Sequence, residues 1–273
     1  MGDLTPFAPW LDRWELIPDG APFETRYTRS WLLPVRQDGA PAMLKIATSP
    51  EEVRGAALMA WWAGEGAARV LAREAEALLL ERLPAARSLA DMARAGADDE
   101  ASRVLCAVAD RLHAPRPGGP PADLCPIDLW FRALAPAAAA HGGVLNAALD
   151  AVEGLLGDPR DIAVLHGDLH HENVLDAGPR GWLAIDPKGV LGERGYDYAT
   201  MLCNPDEALA LKPGRMARQV AVVAEAARLE PRRLTRWLLA HAGVSLAWCL
   251  ADGLWVPEAR RVAELAASLA DAG

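Results

Sequence analysis

A short β-type segment interrupts the otherwise helical second half of this chain. Residues 162–189 are IAVLHGDLHHENVLDAGPRGWLAIDPKG, an apolar run before a histidine-rich stretch and two more apolar runs around Gly178-Pro179-Arg180-Gly181. Glycine and proline at such a position are typical of a turn between two strands. The sequence therefore predicts a polar loop followed by a hairpin. Asp168 and Asn173 would lie on the loop, and Asp186 would close the second strand.

The first third of the chain has the pattern of a sheet with one helix. Apolar runs on both sides of Asp38-Gly39 in residues 26–47 predict a hairpin, because both turn residues tolerate positive φ. Ser49, Pro50 and Glu52 form a capping box with proline at the first helical position, which predicts a helix to about Ala63. Residues 68–83 look like two further strands, although their alanines leave a helix open.

From about residue 86 onward the pattern is helical and rich in alanine and leucine. Val104, Leu105, Val108 and Leu112 follow a helical period. The proline and glycine content of residues 114–123 predicts a surface loop. Further helices are expected near 128–141, 145–156, 213–229, 231–251 and 257–271. The fold class is thus α+β, with a small β-rich part followed by a larger, mainly helical part.

Composition restricts the functional classes. The net charge of −9, with no basic run, excludes the usual electrostatic surface of a nucleic-acid binder. The four cysteines form no C-x-x-C pair, so neither a zinc ribbon nor a disulfide framework is indicated. No secretion signal or membrane-spanning run is found, and the cytoplasm is the expected location. We expect a monomer with a small-molecule partner, and no nucleic acid or membrane.

Three kinds of chemistry compete for the histidine-rich stretch. His166 and His170 have the spacing of a zinc pair on a helix, but Gly167 and the extended run before it remove the helix. A serine hydrolase is not favoured, because the chain contains no G-x-S-x-G. Phosphoryl transfer needs a carboxylate that orients the acceptor hydroxyl, and oxygen ligands for Mg²⁺. Asp168, Asn173 and Asp186 occur in the order that this reaction uses.

HGDLHHENVL followed by WLAIDPKGVLGE closely resembles the aminoglycoside phosphotransferases, in particular the streptomycin phosphotransferase branch and its hydroxyurea-kinase-like relatives. The resemblance extends over APAMLKI, EEVRG, GEGAARVL, ALLLERL and the RLHA helix end. It implies a bilobal protein-kinase-like fold, with a nucleotide-binding N-lobe at 1–83 and a C-lobe at 84–273 that carries the catalytic loop. It also implies ATP and Mg²⁺ as cofactors, with Asp168 as catalytic base and Asn173 and Asp186 as metal ligands.

The resemblance also nominates residues for the nucleotide. Lys45 would reach its phosphates, paired with Glu52, although Glu52 is also a capping-box residue and Glu51 is the substitute. Glu81 and Leu83 would bind adenine through their main chain. The phosphate-covering loop near Glu24 to Ser30 has no glycine, which leaves Thr25, Thr28 or Ser30 to contact phosphate. His166 is expected to anchor the catalytic loop, and Lys188 to lie either near phosphate or at the surface.

A cationic acceptor needs carboxylates in its pocket, since these form charge-assisted hydrogen bonds with guanidinium groups. His170, Glu193, Asp197 and Asp206 are the candidates, with Asp252 as a further one. The function implied is phosphorylation of a hydroxyl of a streptomycin-like aminoglycoside, which confers antibiotic resistance. A kinase of hydroxyurea or of an amino alcohol, and a nucleotide-binding module without transfer activity, are the alternatives. The regiochemistry and the preference for ATP over GTP stay open.

Overall fold

The structure, a computed structural model, describes residues 3–25, 29–254 and 257–272. The first part of the chain forms an antiparallel sheet whose strands follow the order β1-β3-β4-β6-β5, with β2 beside β3. The strands are β1 (Ile17–Pro18), β2 (Phe23–Glu24), β3 (Trp31–Gln37), β4 (Ala40–Ile46), β5 (Val70–Glu74) and β6 (Ala77–Glu81).

The predicted hairpin is confirmed as β3 and β4. Its strands pair from Trp31 opposite Ile46 to Gln37 opposite Ala40. Asp38 and Gly39 turn the chain with φ of 49° and 77°, as the Asp-Gly signal indicates. Residues 68–83 also form strands, so the helical alternative for that segment is wrong. The apolar run of β6, buried at four of its five positions, favours a strand in this segment.

Side chains of β4 alternate between the two faces of this sheet, one of which packs into a core while the other lines a cavity. Ala42, Leu44 and Ile46 pack into a core that includes Phe7 and Leu16. Met43 and Lys45 point to the opposite face, because successive side chains of a strand alternate. The same face of the sheet carries Leu78 and Leu80 of β6, which line a cavity described below together with Met43 and Lys45.

Helices make up most of the rest. They are α1 (Ala8–Arg13), α2 (Pro50–Trp62), α3 (Leu89–Arg94), α4 (Asp98–His113), α5 (Ile127–Trp130), α6 (Leu134–His141), α7 (Val144–Leu156), α8 (Gly195–Leu202), α9 (Glu207–Ala210), α10 (Arg215–Ala227), α11 (Pro231–Ala251) and α12 (Pro257–Ala272). The one helix expected near 128–141 is two, α5 and α6. Residues 114–123 hold neither helix nor strand, as predicted. In the described residues no helix is long and apolar enough to cross a membrane.

Two small sheets lie among these helices. A three-stranded sheet has the order β7-β11-β8, formed by Cys125–Pro126, Val190–Glu193 and Ile162–Leu165. The predicted hairpin is present as β9 (Val174–Asp176) and β10 (Trp182–Ala184). It ends two residues before Asp186, so Asp186 follows the strand and does not close it.

The hairpin also connects the two parts of the chain. The amide of Ala68 donates to Ala184 O at 2.9 Å, and the amide of Ala184 donates to Gly66 O at 2.8 Å. Trp62 at the end of α2 is fully buried and stacks on the His166 ring, with 6.2 Å between ring centroids. The β-rich part is therefore packed directly on the loop that carries Asp168.

Candidate active site

The loop of residues 166–173 is held by side chains that are themselves buried. Nε2 of His166 lies 2.8 Å from Ile185 O, and its Nδ1 accepts the amide of Asp168 at 3.2 Å. This agrees with a neutral ring that carries its proton on Nε2, and burial lowers the pKa of His166. The predicted anchoring role of His166 is confirmed.

Helix α8 fixes the same loop from the other side. The Asp197 carboxylate accepts the amides of His166 and Gly167 at 2.8 and 2.7 Å, and Nε2 of His113 lies 2.8 Å from it. Thr200 Oγ1 donates to Leu169 O at 2.6 Å. Three backbone groups of the loop, at residues 166, 167 and 169, thus depend on α8.

Asp168 and Asn173 lie together on the loop. Nδ2 of Asn173 donates to Asp168 O at 2.9 Å and lies 3.3 Å from Asp168 Oδ2. Nε2 of His170 is 3.7 Å from Asp168 Oδ1. Burial opposes ionisation of Asp168, but the His170 ring, with Lys188 and His166, outweighs burial and lowers the carboxyl pKa to about 2. Asp168 is therefore an ionised carboxylate at neutral pH, able to accept a proton.

Asp186 lies between two ammonium groups. Lys45 Nζ is in direct contact with Asp186 Oδ1, and Lys188 Nζ is 3.5 Å from Oδ2. Burial would raise the pKa of Asp186, but the charges of Lys45 and Lys188 lower it. Lys188 is only 7% exposed, so of its two predicted locations the surface one is wrong. Burial lowers the pKa of Lys188, but the charges of nearby carboxylates, Asp186 first among them, raise it.

Glu52 both caps its helix and pairs with Lys45, and it uses different atoms for the two roles. Its amide donates to Ser49 Oγ at 3.4 Å, which is half of a capping box. Its carboxylate turns inward, where Lys45 Nζ is in contact with Oε2 and Lys188 Nζ is 3.3 Å from Oε1. The side chain thus pairs with Lys45, and Glu51 is not its substitute.

A cavity of about 480 Å³ opens between the large sheet, α2 and the β9–β10 hairpin. Lys45, Glu52, Glu81 and Leu83 line it, and apolar walls come from Leu32, Met43, Met59, Leu78, Leu80, Leu175 and Ile185. The Glu81 carboxylate is held by the Arg69 amide and by Arg180. The Leu83 amide makes no hydrogen bond to the chain as the structure describes it. These apolar walls, with a main-chain donor at Leu83, suit an aromatic base.

The prediction that Ser30 contacts phosphate is wrong. Its side chain is fully buried, and its hydroxyl donates to Glu52 Oε2 at 3.1 Å, so it supports the Lys45 pair instead. Thr25 lines the cavity, and its hydroxyl accepts the Ser30 amide at 2.9 Å. Thr28 lies outside the described residues.

A second, larger cavity of about 880 Å³ lies beside the first. Phe23, Thr25, Asn173 and Asp186 line both cavities, whereas Asp168 lines only the larger one. Six carboxylates face the larger cavity, and Arg94 and Lys188 are the permanently charged cations among its lining residues. The carboxylates are Glu24, Asp168, Glu172, Asp186, Asp206 and Glu207.

Two of the predicted acceptor residues, His170 and Asp206, line this larger cavity. Asp206 is partly engaged, because it accepts the Leu209 amide at 2.8 Å and pairs with Arg94 at 3.0 Å. Sequence reasoning missed His241, Ser245 and Trp248 of α11, which also line it. Their spacing of four and three residues places them on one helix face, and a histidine in an apolar helix was the available signal.

The predictions for Glu193 and Asp197 are wrong, because both carboxylates are buried and neither lines either of the two cavities. Asp197 is fully buried under the catalytic loop. Glu193 is 4% exposed and accepts hydrogen bonds from Arg233, from Trp237 Nε1 at 2.7 Å and from the Arg160 amide. Each already accepts at least three hydrogen bonds from the chain. Asp252 is not among the lining residues of either cavity.

The residues where the cavities meet fit Mg²⁺. Nδ2 of Asn173 is turned to Asp168, and its amide oxygen accepts no hydrogen bond from the residues that the structure describes. Asp186 adds two carboxylate oxygens. Mg²⁺ prefers oxygen ligands, and it commonly takes one or two protein groups beside nucleotide phosphates and water. No cluster of three or more His, Cys, Asp or Glu suited to a metal ion occurs among residues 3–25, 29–254 and 257–272. A zinc site at the histidines is thus not supported.

Comparison with known proteins agrees with this geometry. Residues 13–253 match a family model described as aminoglycoside/hydroxyurea antibiotic resistance kinase. The chain belongs to this family. A streptomycin 3''-kinase of Klebsiella pneumoniae is 51% identical to it, over 89% of this chain and 92% of that protein. A streptomycin 6-kinase of Streptomyces griseus is 34% identical over 89% of this chain and 82% of that protein.

Solved structures confirm the bilobal, kinase-like α+β fold. An aminoglycoside phosphotransferase in a ternary complex with ADP and hygromycin B has a TM-score of 0.65 at 15% identity, covering 97% of this chain and 96% of that one. A choline/ethanolamine kinase family protein from Mesorhizobium loti has a TM-score of 0.64 at 15% identity, covering 98% and 92%. At these identities the likeness concerns the fold.

Proposed function

We propose that the protein transfers the γ-phosphoryl group of ATP to a hydroxyl of streptomycin and thereby inactivates the drug. The observation that carries the proposal is the arrangement of the two cavities. Asn173 and Asp186 belong to both, and Asp168 faces only the larger one. A nucleotide in the smaller cavity and a hydroxyl in the larger one would meet at these three side chains.

Each residue would have a distinct task in this reaction. Asp168 would orient the acceptor hydroxyl and accept its proton as the oxygen bonds to phosphorus and the bond from phosphorus to the ADP oxygen breaks. Lys45, held by Glu52, would bind nucleotide phosphate, and the backbone at Glu81 and Leu83 would bind adenine. Asn173 and Asp186 would hold Mg²⁺, which neutralises phosphate charge when bound.

The larger cavity favours a large cationic acceptor over hydroxyurea, a molecule of five non-hydrogen atoms. Its volume of about 880 Å³ and its excess of carboxylates suit guanidinium groups. The hydroxyurea phosphotransferase of Kitasatospora aureofaciens is 31% identical, against 51% for the streptomycin 3''-kinase. We therefore favour the 3'' position of streptomycin as the acceptor, with hydroxyurea or an amino alcohol as the second candidate.

We expect the protein to act as a monomer in the cytoplasm, where ATP and Mg²⁺ are abundant. The lobe boundary near residue 83 stays a prediction, supported by the position of all six strands of the large sheet within residues 17–81. Streptomycin, and neither nucleic acid nor a membrane, would be its partner.

The test is phosphoryl transfer from labelled ATP with Mg²⁺ to streptomycin, hydroxyurea and amino alcohols, with the product position read by NMR. Streptomycin should be phosphorylated, and Asp168→Ala should lower kcat about 10²–10⁴-fold. Asp150→Ala is the matched control, because Asp150 is an exposed carboxylate of α7. Transfer to hydroxyurea and not to streptomycin, or full activity of Asp168→Ala, would contradict the proposal.

A further inference from the structure

One wall of the larger cavity is a short connection between two helices. Five consecutive residues, 203–207, line the cavity between the end of α8 and the start of α9. We call this segment the acceptor wall. It includes Asp206 and Glu207, two of the six carboxylates of the cavity. Its position therefore decides where part of the negative charge lies.

A buried arginine behind the acceptor wall makes four hydrogen bonds. Arg215, the first residue of α10, is 7% exposed. Its Nη1 donates to Leu202 O and its Nη2 to Asn204 O, both at 2.9 Å. Its Nε and Nη2 donate to the two carboxylate oxygens of Asp98 on α4, at 2.8 and 3.0 Å. One planar guanidinium thus joins the backbone of the wall to two helices.

We propose that Arg215 and Asp98 form a positioning clamp that fixes the acceptor wall and so sets the affinity for the acceptor. Arg215 is not among the residues that line either cavity, so it acts through Leu202 and Asn204 and not by contact. A lysine cannot replace it, because a single ammonium lacks the forked geometry that holds a carboxylate and two carbonyls at once.

The clamp should affect the acceptor and not the nucleotide. None of residues 203–207 lines the smaller cavity. The catalytic loop is held by Asp197 and Thr200 of α8, whereas Arg215 reaches this helix only at its last residue, Leu202. Loosening the wall moves Asp206 and Glu207 while it leaves Lys45, Asp168 and Asp186 in place. This predicts a higher KM for the acceptor, with the KM for ATP and kcat nearly unchanged.

The chain offers a matched control one turn away. Arg218 on α10 donates from Nε and Nη2 to both oxygens of Asp99 on α4, at 3.0 and 2.9 Å. This pair joins the same two helices with the same bidentate chemistry. It makes no bond to the acceptor wall, and the Arg218 side chain is 71% exposed.

The experiment compares Arg215→Lys and Asp98→Asn with Arg218→Lys, using streptomycin as acceptor. In this choice of acceptor the inference rests on the proposed function. Both clamp variants should raise the KM for streptomycin about tenfold, as expected for the loss of a charge-assisted hydrogen bond. Their KM for ATP should stay within about twofold of the unmodified protein. Arg218→Lys should change neither constant.

Several outcomes would overturn the clamp. These are an unchanged streptomycin KM in both clamp variants, an equal rise in the KM for ATP, or the same effect in Arg218→Lys. Should Arg215→Lys fail to fold, Asp98→Asn decides, and failure of both to fold would mean a general structural role. Failure of the proposed function is recognised separately, because in that case the unmodified protein itself does not phosphorylate streptomycin.

Discussion

At the place where the two cavities meet, two ammonium groups alternate with two carboxylates. Lys45 contacts both Glu52 and Asp186, and Lys188 approaches the same two acids from the other side. Lys45, Glu52 and Lys188 are buried and Asp186 is partly exposed, and these charges are tolerated there because each has opposite charges close by. Removing one member takes one of its two opposite charges from each neighbouring group. The network is therefore sensitive to single substitutions.

Lysine substitutions test this network directly, because the chain contains three lysines and the third is exposed. Lys45→Met should lower kcat/KM about 10²-fold or more, since it removes a fixed cation from the phosphates and leaves Glu52 paired with Lys188 alone of the two lysines. Lys212→Met should have no effect. Steady-state kinetics with ATP as the varied substrate measures both. Equal losses in the two variants, or activity of Lys45→Met within twofold, would refute the role of Lys45.

The ionisation of His170 depends on Asp168. Burial lowers the pKa of His170, but the Asp168 charge outweighs it and raises the pKa above the ordinary 6.5. The stability contributed by this charge is fully present below pH 6.5 and is lost as the pH rises through the folded pKa. In Asp168→Asn the charge and hydrogen bond of Asp168 are lost, and burial and Lys188 are opposed only by Glu172, so the His170 pKa should fall. NMR titration of the ring protons measures it, with Asp150→Asn as the control that should leave it raised.

The site residues that were predicted correctly are defined by local sequence spacing, whereas those that were misplaced depend on partners far away in the sequence. Asp168, Asn173 and Asp186 were found because their chemistry needs oxygen-bearing side chains at a set spacing, which a linear sequence displays. Glu193 and Asp197 were misplaced because an acid in a sequence does not reveal its partners. Trp237, Arg233 and the amides of residues 166 and 167 come from distant parts of the chain.

Among the elements, α8 was missed although it holds the catalytic loop. All eight of its residues are buried, so it has no polar face and no amphipathic period from which a helix could be predicted. Strand β11 was missed for a similar reason, since its partners β7 and β8 lie far away in sequence. By contrast β3, β4 and α2 carry local turn and cap signals, and these elements were predicted to within a few residues.

Helix α2 packs against the segment after Asp186 at a single glycine. A Cβ added at Gly55 would lie 1.9 Å from Pro187 O, so one of the two elements would have to move. Gly55→Ala should cost about 1–3 kcal/mol of unfolding free energy. It should also weaken ADP binding, because Glu52 and Asp186 lie on the two displaced elements.

Urea denaturation and calorimetric titration with ADP measure the two effects of Gly55→Ala. Gly119→Ala is the matched control, because Gly119 has ordinary φ and open space around its Cα. It should leave both quantities unchanged. If Gly55→Ala is as stable as the unmodified protein and binds ADP equally well, close packing of α2 on Pro187 is not important for the site.

Considered as a whole, the molecule places two cavities of different character on either side of one pair of oxygen donors. The smaller is mainly apolar and bounded by the large sheet, and the larger is acidic and bounded by helices. Asn173 and Asp186 belong to both. A divalent cation bound there with nucleotide would stabilise the folded chain by an amount that grows with the logarithm of the ligand concentration above its Kd, since ligands that bind only the folded state raise its stability by mass action.

Thermal denaturation with ADP, with and without Mg²⁺, tests this arrangement. At a ligand concentration 100 times the Kd, the stabilisation is about 2.7 kcal/mol. Mg²⁺ should increase the stabilisation by ADP in the unmodified protein and in Asp168→Asn, because Asp168 does not line the nucleotide cavity. Asp186→Asn should keep the effect of ADP alone and lose the additional effect of Mg²⁺. If Asp186→Asn retains the Mg²⁺ effect and Asp168→Asn loses it, the two carboxylates have exchanged roles, and Asp168 would be the metal ligand.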